Sequence, residues 1–290
     1  MLTLRFGTLQ ASIDPHGAEL RSLRLGNEEF LWQDEAKVWP HSAPLLFPFV
    51  GRLRDGRYLH KGQPYAMGIH GFAAGMDFEP VQESAEAATL LLRATAETRT
   101  CFPFEFRLQV LFRLDADGLL VRYEVHNDSP ETMAFGLGSH PAFALGTGEL
   151  QDWFLEFDQQ EAPEAYRLLG DLLAERPEPI AFTGPEQTRI GLHSQLFERD
   201  ALIIKQIKSR RIRLVHRQAG TRLMVSTGGA PHLGLWAVAG ARFVCIEPWF
   251  GVDEDAAAPL ELLHKPALNH LAPGACFECF YRIDPLPSQP

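Results

Sequence analysis

Apolar side chains recur at every second position through much of this chain, and this period limits the fold more than any other feature. Residues 104–128 read FEFRLQVLFRL, DADG and LLVRYEVHND, which are two alternating segments joined by a turn that contains Asp and Gly. Alternation places every second side chain on one face of a sheet, so these residues predict a β-hairpin.

Similar short segments follow one another along the chain and are separated by Gly, Pro, Asn and Asp. They read LTLRFG, ASIDP, DWFLEFD, ALIIKQI, IRLVHR, RLMVST, LGLWAV, RFVCIEP and CFECFYRI. Many short strands at this spacing predict an all-β, antiparallel fold with few short helices. Residues 84–97, SAEAATLLLRATAE, are rich in Ala and Glu but lead directly into the hairpin, so we predict a strand there.

The length of 290 residues fits one large β domain, and the chain contains no fixed-period repeat and no Gly/Ser linker. We therefore expect a single domain over residues 1–290, with residues 283–290 forming a flexible tail. The long segment 162–187 contains several prolines, and long ordered loops of this kind often serve binding.

Charge and cysteine content limit the partners and the compartment. Lys and Arg number 27 against 37 Asp and Glu, a net charge of −10, which disfavours nucleic acid and anionic membranes. Neither a signal peptide nor a transmembrane run of about 20 apolar residues is visible. Four cysteines are too few to stabilise a chain of this length through disulfide bonds, so reduced thiols in the cytoplasm are expected. Cys276 and Cys279 form a CxxC without the second pair that a structural zinc site needs.

Three segments place a polar side chain among Gly, Pro and aromatic residues, where the walls of a site would be apolar. They are SAPLLFPFVGRLRDGRY with MGIHGFAAGMDF, then FGLGSHPAFAL, then FVCIEPWFG, and they carry Arg52, His70, His140 and Glu247. A carboxylate at the end of a buried strand has its pKa raised from about 4.3 toward a useful general-base value. The ordinary pKa of a histidine, about 6.5, suits proton donation and return.

These segments resemble the aldose 1-epimerase, or galactose mutarotase-like, superfamily, in particular its LacX-like and hexose-6-phosphate-mutarotase-like branch. The strings GRLRDG, HGFA, GSHPAF and IEPWFG occur in the family's order and spacing, and the likeness runs from about Ser12 to Ile283. The resemblance implies a β-supersandwich with an open concave cleft. It also implies interconversion of the α and β anomers of a hexose, without a metal or other cofactor, in a monomer or homodimer.

The resemblance assigns the proton transfers to three residues. Glu247 resembles the catalytic base, His140 the catalytic acid, and His70 the second histidine, which hydrogen-bonds the sugar near its ring oxygen. A base takes the proton of the anomeric hydroxyl while an acid protonates the ring oxygen, and the two reverse roles after rotation about C1–C2. We therefore expect the carboxylate and the imidazole on opposite edges of the sugar.

Four further residues are implied to bind the substrate. Arg52 resembles the arginine that steadies the base and binds a hydroxyl, and Asp200 in FERDALIIK resembles the aspartate that holds sugar hydroxyls. Trp236 and Trp249 are expected to form apolar walls against the C–H face of the sugar.

One departure from the family bears on the substrate. Relatives of the sugar-phosphate branch commonly read HGFAR, whereas this chain reads HGFAAG, with Ala74 where the arginine would stand. Losing a charge-assisted phosphate contact costs about 1.5–3 kcal/mol, although Arg52, Arg54 and Lys205 offer other cations. The alternatives are a hexose-6-phosphate mutarotase, a non-catalytic carbohydrate-binding or sensing protein, and an isomerase or lyase on a related scaffold.

Overall fold

The computed structural model describes residues 1–34, 37–146 and 148–287. Its largest element is a nine-stranded antiparallel sheet that crosses the whole molecule. In spatial order its strands are β20 (Arg189–Gly191), β15 (Trp153–Phe157), β22 (Arg211–His216), β23 (Gly220–Ser226), β27 (Cys276–Pro285), β11 (Gly118–Asn127), β10 (Phe106–Asp115), β9 (Ala87–Arg93) and β8 (Glu79–Glu83).

A second, six-stranded sheet lies against the first one and carries the site. Its strands are β21 (Leu202–Lys205), β24 (His232–Trp236), β25 (Phe243–Phe250), β13 (Leu137–Ser139) and β5 (Leu45–Leu46), with β14 (Ala142–Ala144) pairing with the other end of β25. Buried side chains of both sheets belong to one hydrophobic cluster. A hydrogen bond of 2.8 Å between the hydroxyls of Tyr123 on β11 and Ser139 on β13 also joins the two sheets.

Smaller elements complete the fold. A four-stranded sheet contains β1 (Leu2–Phe6), β2 (Leu9–Asp14), β3 (Glu19–Leu25) and β4 (Glu28–Glu29). Two-stranded ribbons pair β6 (Arg57–His60) with β7 (Gln63–Ala66), β12 (Met133–Phe135) with β26 (Asn269–Leu271), β16 (Glu164–Ala165) with β19 (Glu178–Pro179), and β17 (Leu168–Leu169) with β18 (Leu172–Leu173). The described residues contain one α-helix, α1 (Ala96–Cys101), and 3-10 turns at Arg54–Gly56, Ala73–Gly75, Leu150–Asp152, Pro185–Gln187, Ser194–Phe197 and Leu262–His264.

The structure confirms the predicted all-β, antiparallel architecture. The predicted hairpin is formed by β10 and β11, whose strands pair from Phe106↔Asn127 to Asp115↔Gly118 around a two-residue turn. Along β10 the buried and less buried positions alternate, as a strand with one face on the core requires. Each of the nine other predicted segments also contains a strand.

Two predicted boundaries are wrong. Segment 84–97 forms β9 but then turns into α1, because the side chain of Thr95 accepts a hydrogen bond from the Thr98 N–H and starts a helix. The tail does not begin at residue 283, since β27 continues through Pro285 and the Ile283 side chain is fully buried. Residues 288–290 of the predicted tail lie outside the described residues.

The CxxC lies on β27, as the alternating pattern indicates. Cys276 is exposed and Cys279 is buried, because residues three apart on a strand point to opposite faces of the sheet. These two thiols therefore do not converge on one metal ion. None of the helices within residues 1–34, 37–146 and 148–287 has the length and apolar character needed to cross a bilayer.

Candidate active site

The structure brings all seven residues predicted for the site to the wall of one cleft. The cleft has a volume of about 670 Å³ and is lined by residues of the six-stranded sheet and by Leu168 of the 162–187 segment. Its lining includes every predicted site residue, namely Arg52, His70, His140, Asp200, Trp236, Glu247 and Trp249. Residues up to 197 positions apart in the sequence, Arg52 and Trp249 among them, thus share a single surface.

Glu247 comes from β25, which is buried on both faces. Its carboxylate is 1% exposed, and neither oxygen has a hydrogen-bond partner among the described residues. Burial raises the pKa of Glu247 well above its ordinary value, and the negative charge of Asp253 raises it further. A buried carboxylate of high proton affinity is suited to accept a proton from a bound hydroxyl.

His140 lies in the connection between β13 and β14, where its N–H donates to the carbonyl of Pro44 at 3.2 Å. The rings of Trp39 and Trp236 lie 5.1 and 5.6 Å from the imidazole, centroid to centroid. Burial lowers the pKa of His140 well below 6.5, and the neighbouring His70 lowers it further. Protonated His140 is therefore a stronger acid than an exposed histidine.

The two proton carriers are in direct contact. Nε2 of His140 lies 3.3 Å from Oε2 of Glu247. The expectation that they stand on opposite edges of the sugar is wrong, because no saccharide fits between groups this close. The pair instead forms one corner of the cleft, next to which both oxygens of an anomeric carbon can lie.

His70 is fixed by two hydrogen bonds to one residue. Its N–H donates to the carbonyl of Gly51 at 2.8 Å, and the Gly51 N–H donates to Nδ1 at 3.0 Å. Because Nδ1 accepts, the ring proton lies on Nε2, which is left free to donate to a ligand. Burial and the charge of Arg52 lower the pKa of His70 to about 3, so the ring is a neutral donor at physiological pH.

A tight turn presents His70, and Gly71 makes it possible. Gly71 has a φ of +78°, and a Cβ there would come within 2.2 Å of the Phe47 carbonyl oxygen. That oxygen accepts hydrogen bonds from the N–H groups of Phe72 and Ala73, which wraps the HGFA segment around it. The backbone turn of the HGFA segment thus positions the His70 imidazole in the wall of the cleft.

Arg52 is placed differently from expectation. Its Nε pairs with Asp171 at 3.3 Å, at the tip of the β17–β18 ribbon, and its backbone N–H donates to Asp253 at 2.9 Å. Among the described residues the guanidinium forms no ion pair with Glu247, so the expected direct support of the base is absent from this structure. The guanidinium still faces the cleft and can bind a hydroxyl.

The two predicted tryptophans and Asp200 also line the cleft. Trp249 lies across Gly138 and Gly234 of the two neighbouring strands, where an added Cβ would come within 2.8 and 2.4 Å of its ring. These glycines let the indole lie close to the sheet and form the floor of the cleft. Trp236 lines the same cleft, as does Asp200, which lies in a left-handed turn with φ of +65°.

Sequence reasoning missed several residues of the cleft. Asp253 lines it, is 5% exposed, and has its pKa raised to about 6 by burial. Its position just beyond the end of β25 was the available signal, since cleft residues often follow strand ends. Trp39 and His41 also line the cleft, from an irregular WPH segment with no alternation to mark it. Cys245 lies beneath the pair, its sulfur within 4.8 Å of ligand atoms of His140 and Glu247.

Taken together, a two-sheet antiparallel sandwich and a contacting carboxylate–imidazole pair define a β-sandwich protein with an acid–base site in an open cleft. The sequence model of the family described as aldose 1-epimerase matches residues 1–256, and the chain belongs to that family.

Relatives support the same assignment over nearly the full length. The chromosomal protein LacX of Lactococcus lactis subsp. lactis is 29% identical over 286 residues, covering 94% of this chain and 92% of LacX. A galactose mutarotase related enzyme from Lactobacillus acidophilus has a similar structure, with a TM-score of 0.93 and 33% identity over 99% of this chain and 97% of that one. A galactose mutarotase-like protein from Lactobacillus casei gives a TM-score of 0.91 and 28% identity, over 98% and 99%.

Proposed function

We propose that this protein is an aldose 1-epimerase that interconverts the α and β anomers of an unphosphorylated hexose by general acid–base catalysis. The observation that carries the proposal is the contact of 3.3 Å between Glu247 and His140 at the buried corner of the cleft. The hydroxyl oxygen O1 and the ring oxygen of a pyranose are bonded to the same carbon. Two adjacent proton carriers can therefore reach both oxygens at once.

The opposed shifts place the shared proton on Glu247 in the resting pair, and its transfer to His140 gives the reactive form, in which the carboxylate is a strong base and the imidazolium a strong acid. Glu247, whose pKa is raised, takes the proton of O1–H, and protonated His140, whose pKa is lowered, gives its proton to the ring oxygen. The C1–O5 bond breaks and a C1=O1 carbonyl forms. After rotation about C1–C2, the O5 hydroxyl attacks the other face of the carbonyl, while His140 takes back the proton of O5–H and Glu247 gives its proton to O1. The pair holds one proton before and after the reaction.

The other residues orient the sugar. Nε2–H of His70, whose ring lies 5.7 Å from that of His140, donates a hydrogen bond near the ring oxygen. Arg52 and Asp200 hold hydroxyls, and the indoles of Trp236 and Trp249 contact the C–H face. In this pose the Glu247 carboxylate, which accepts no hydrogen bond from the described residues, accepts one from the O1 hydroxyl.

The charges of the cleft favour a neutral substrate. Arg52 is the permanent cation of the lining, and it is paired with Asp171. The lining also contains the carboxylates Glu198, Asp200, Glu247 and Asp253, and it has Ala74 where the sugar-phosphate branch has an arginine. This balance repels a phosphate dianion.

We expect a panel of aldoses to separate free from phosphorylated hexoses. Polarimetry should show that kcat/KM for at least one free hexose exceeds that for its 6-phosphate by tenfold or more, since one lost charge-assisted contact is worth about 1.5–3 kcal/mol. Spontaneous mutarotation without protein is the baseline. Equal or higher kcat/KM for the phosphorylated sugar would contradict the neutral-substrate assignment.

His140→Asn should lower kcat at least a hundredfold, because the amide cannot carry a proton to the ring oxygen. The measurement is anomer exchange by NMR at saturating sugar. His41→Asn is the matched control, since His41 lines the same cleft but takes no part in the proposed proton transfers. If both variants lost activity equally, the acid would not be His140.

A further inference from the structure

We propose that His140, Glu247 and Cys245 form a binding site for a thiophilic divalent cation, Zn²⁺ or Cd²⁺, and that such an ion inhibits the enzyme. The inhibition rests on the proposed function, whereas binding of the ion does not. The ion would occupy the corner of the cleft where the anomeric carbon is expected.

Strand geometry creates the donor set. Cys245 and Glu247 are two residues apart on β25, so their side chains lie on the same face of the sheet. β14 pairs with β25 through Ala142↔Cys245, which brings His140, two residues earlier, beside the same two positions. A thiol and a carboxylate from β25 therefore converge with an imidazole from the connection that precedes β14.

The separations suit a small metal ion. One ligand atom from each residue lies within 4.8 Å of the other two, and the imidazole nitrogen and the carboxylate oxygen are 3.3 Å apart. Zinc bonds of about 2.0–2.2 Å to N and O at a tetrahedral angle separate those two atoms by roughly 3.3–3.6 Å. Two of the three ligands thus already stand at the distance that a bound ion requires, and a small side-chain movement brings in the sulfur.

The surrounding charge favours a cation. All three side chains are at least nine-tenths buried, and the ion-pair contact found for the Glu247 carboxylate among the described residues is with His140, itself a proposed ligand of the ion. Asp200 and Asp253 add negative charge nearby, whereas the guanidinium of Arg52 is paired with Asp171. A divalent ion would neutralise this buried negative charge.

The donor types select the ion. Thiolate and imidazole ligands favour Zn²⁺ and related ions over Mg²⁺ and Ca²⁺, which prefer oxygen. Three protein ligands leave a fourth position toward the cleft, as in zinc sites that keep an exchangeable ligand. Because the sugar also needs the carboxylate of Glu247, the ion and the sugar must compete.

The test is a titration of the whole protein with Cd²⁺, followed by the ultraviolet charge-transfer absorption of a cadmium–thiolate bond and by anomer exchange. We expect a band with one equivalent of Cd²⁺, weakened by excess aldose, and inhibition competitive with the sugar. Cys245→Ala should remove this band and raise the inhibition constant at least tenfold while leaving basal activity unchanged. Mg²⁺ should neither inhibit nor compete with Cd²⁺.

Cys276→Ala is the matched control, because Cys276 is an exposed thiol 3.6 Å from Nε2 of His126 and offers Cd²⁺ a surface alternative. This variant should keep the aldose-sensitive band and the inhibition. Glu247→Gln keeps the thiol but loses one proposed ligand, so it should weaken Cd²⁺ binding at least tenfold. This variant tests the site if Cys245→Ala does not fold.

The metal site would be overturned if Cd²⁺ inhibited Cys245→Ala as strongly as wild type. It would also be overturned if the cadmium–thiolate band disappeared in Cys276→Ala but not in Cys245→Ala. If the wild-type protein showed no anomer exchange, the proposed function would fail, yet the cadmium band would still decide whether the three residues bind the ion.

Discussion

Replacement of Glu247 by glutamine is expected to reduce kcat for anomer exchange by about 10²–10⁴-fold while sugar binding stays within a fewfold of wild type. The amide keeps the shape of the side chain but cannot accept the proton of O1–H. Polarimetry measures the rate, and isothermal titration calorimetry measures the binding. The effect should exceed that of every other single change in the cleft, because the other lining carboxylates do not touch His140.

Stability separates this result from misfolding. The folded protein raises the pKa of Glu247, so at pH values above the ordinary carboxyl pKa folding costs free energy either to protonate this group or to bury its charge, and a neutral amide removes this cost. Glu247→Gln should therefore unfold at no lower urea concentration than wild type. Glu198→Gln is the control, since Glu198 lines the same cleft but is exposed. Activity within tenfold of wild type in Glu247→Gln would remove the mechanism.

A second large effect is expected away from the chemistry, at Lys265. Its ammonium forms a buried ion pair with Glu254 and donates to the Pro259 carbonyl at 2.9 Å, with side-chain exposures of 3% and 4% for the two charged partners. Lys265→Met leaves the Glu254 carboxylate buried without its cation. We expect a loss of about 3–5 kcal/mol in the free energy of unfolding, measured by urea denaturation.

The double variant Lys265→Met with Glu254→Gln is the matched control. It removes both charges, and its amide oxygen can still accept the hydrogen bond that the Arg54 N–H donates to the Glu254 side chain. Replacing a whole buried pair by neutral groups is often nearly neutral, so the double variant should recover most of the loss. A single variant within 1 kcal/mol of wild type, or a double variant no better than the single, would contradict this account.

Much of the fold was predictable because alternation is a local signal. The β10–β11 hairpin follows from period two and a turn of Asp and Gly, and both are visible within 25 consecutive residues. The order of strands in the large sheet was not predictable in this way. It depends on pairings such as β23 with β27, whose partners are far apart in the sequence.

The members of the site could be named from the sequence, but their arrangement could not. The motifs around His140 and Glu247 identify both residues, yet only the pairing of β14 with β25 sets them in contact. The ion pair between Arg52 and Asp171 could not be predicted from the sequence either. It depends on the fold of an irregular segment whose short ribbons carry no strong pattern.

The position of β27 has a consequence for how the protein is made. This strand lies in the middle of the nine-stranded sheet, paired with β11 on one side and β23 on the other. Until its residues have left the ribosome, a nascent chain holds two part-sheets with unpaired edges, which other polypeptides can join. Insertion of β27 between β11 and β23 joins the two part-sheets and covers both of these edges.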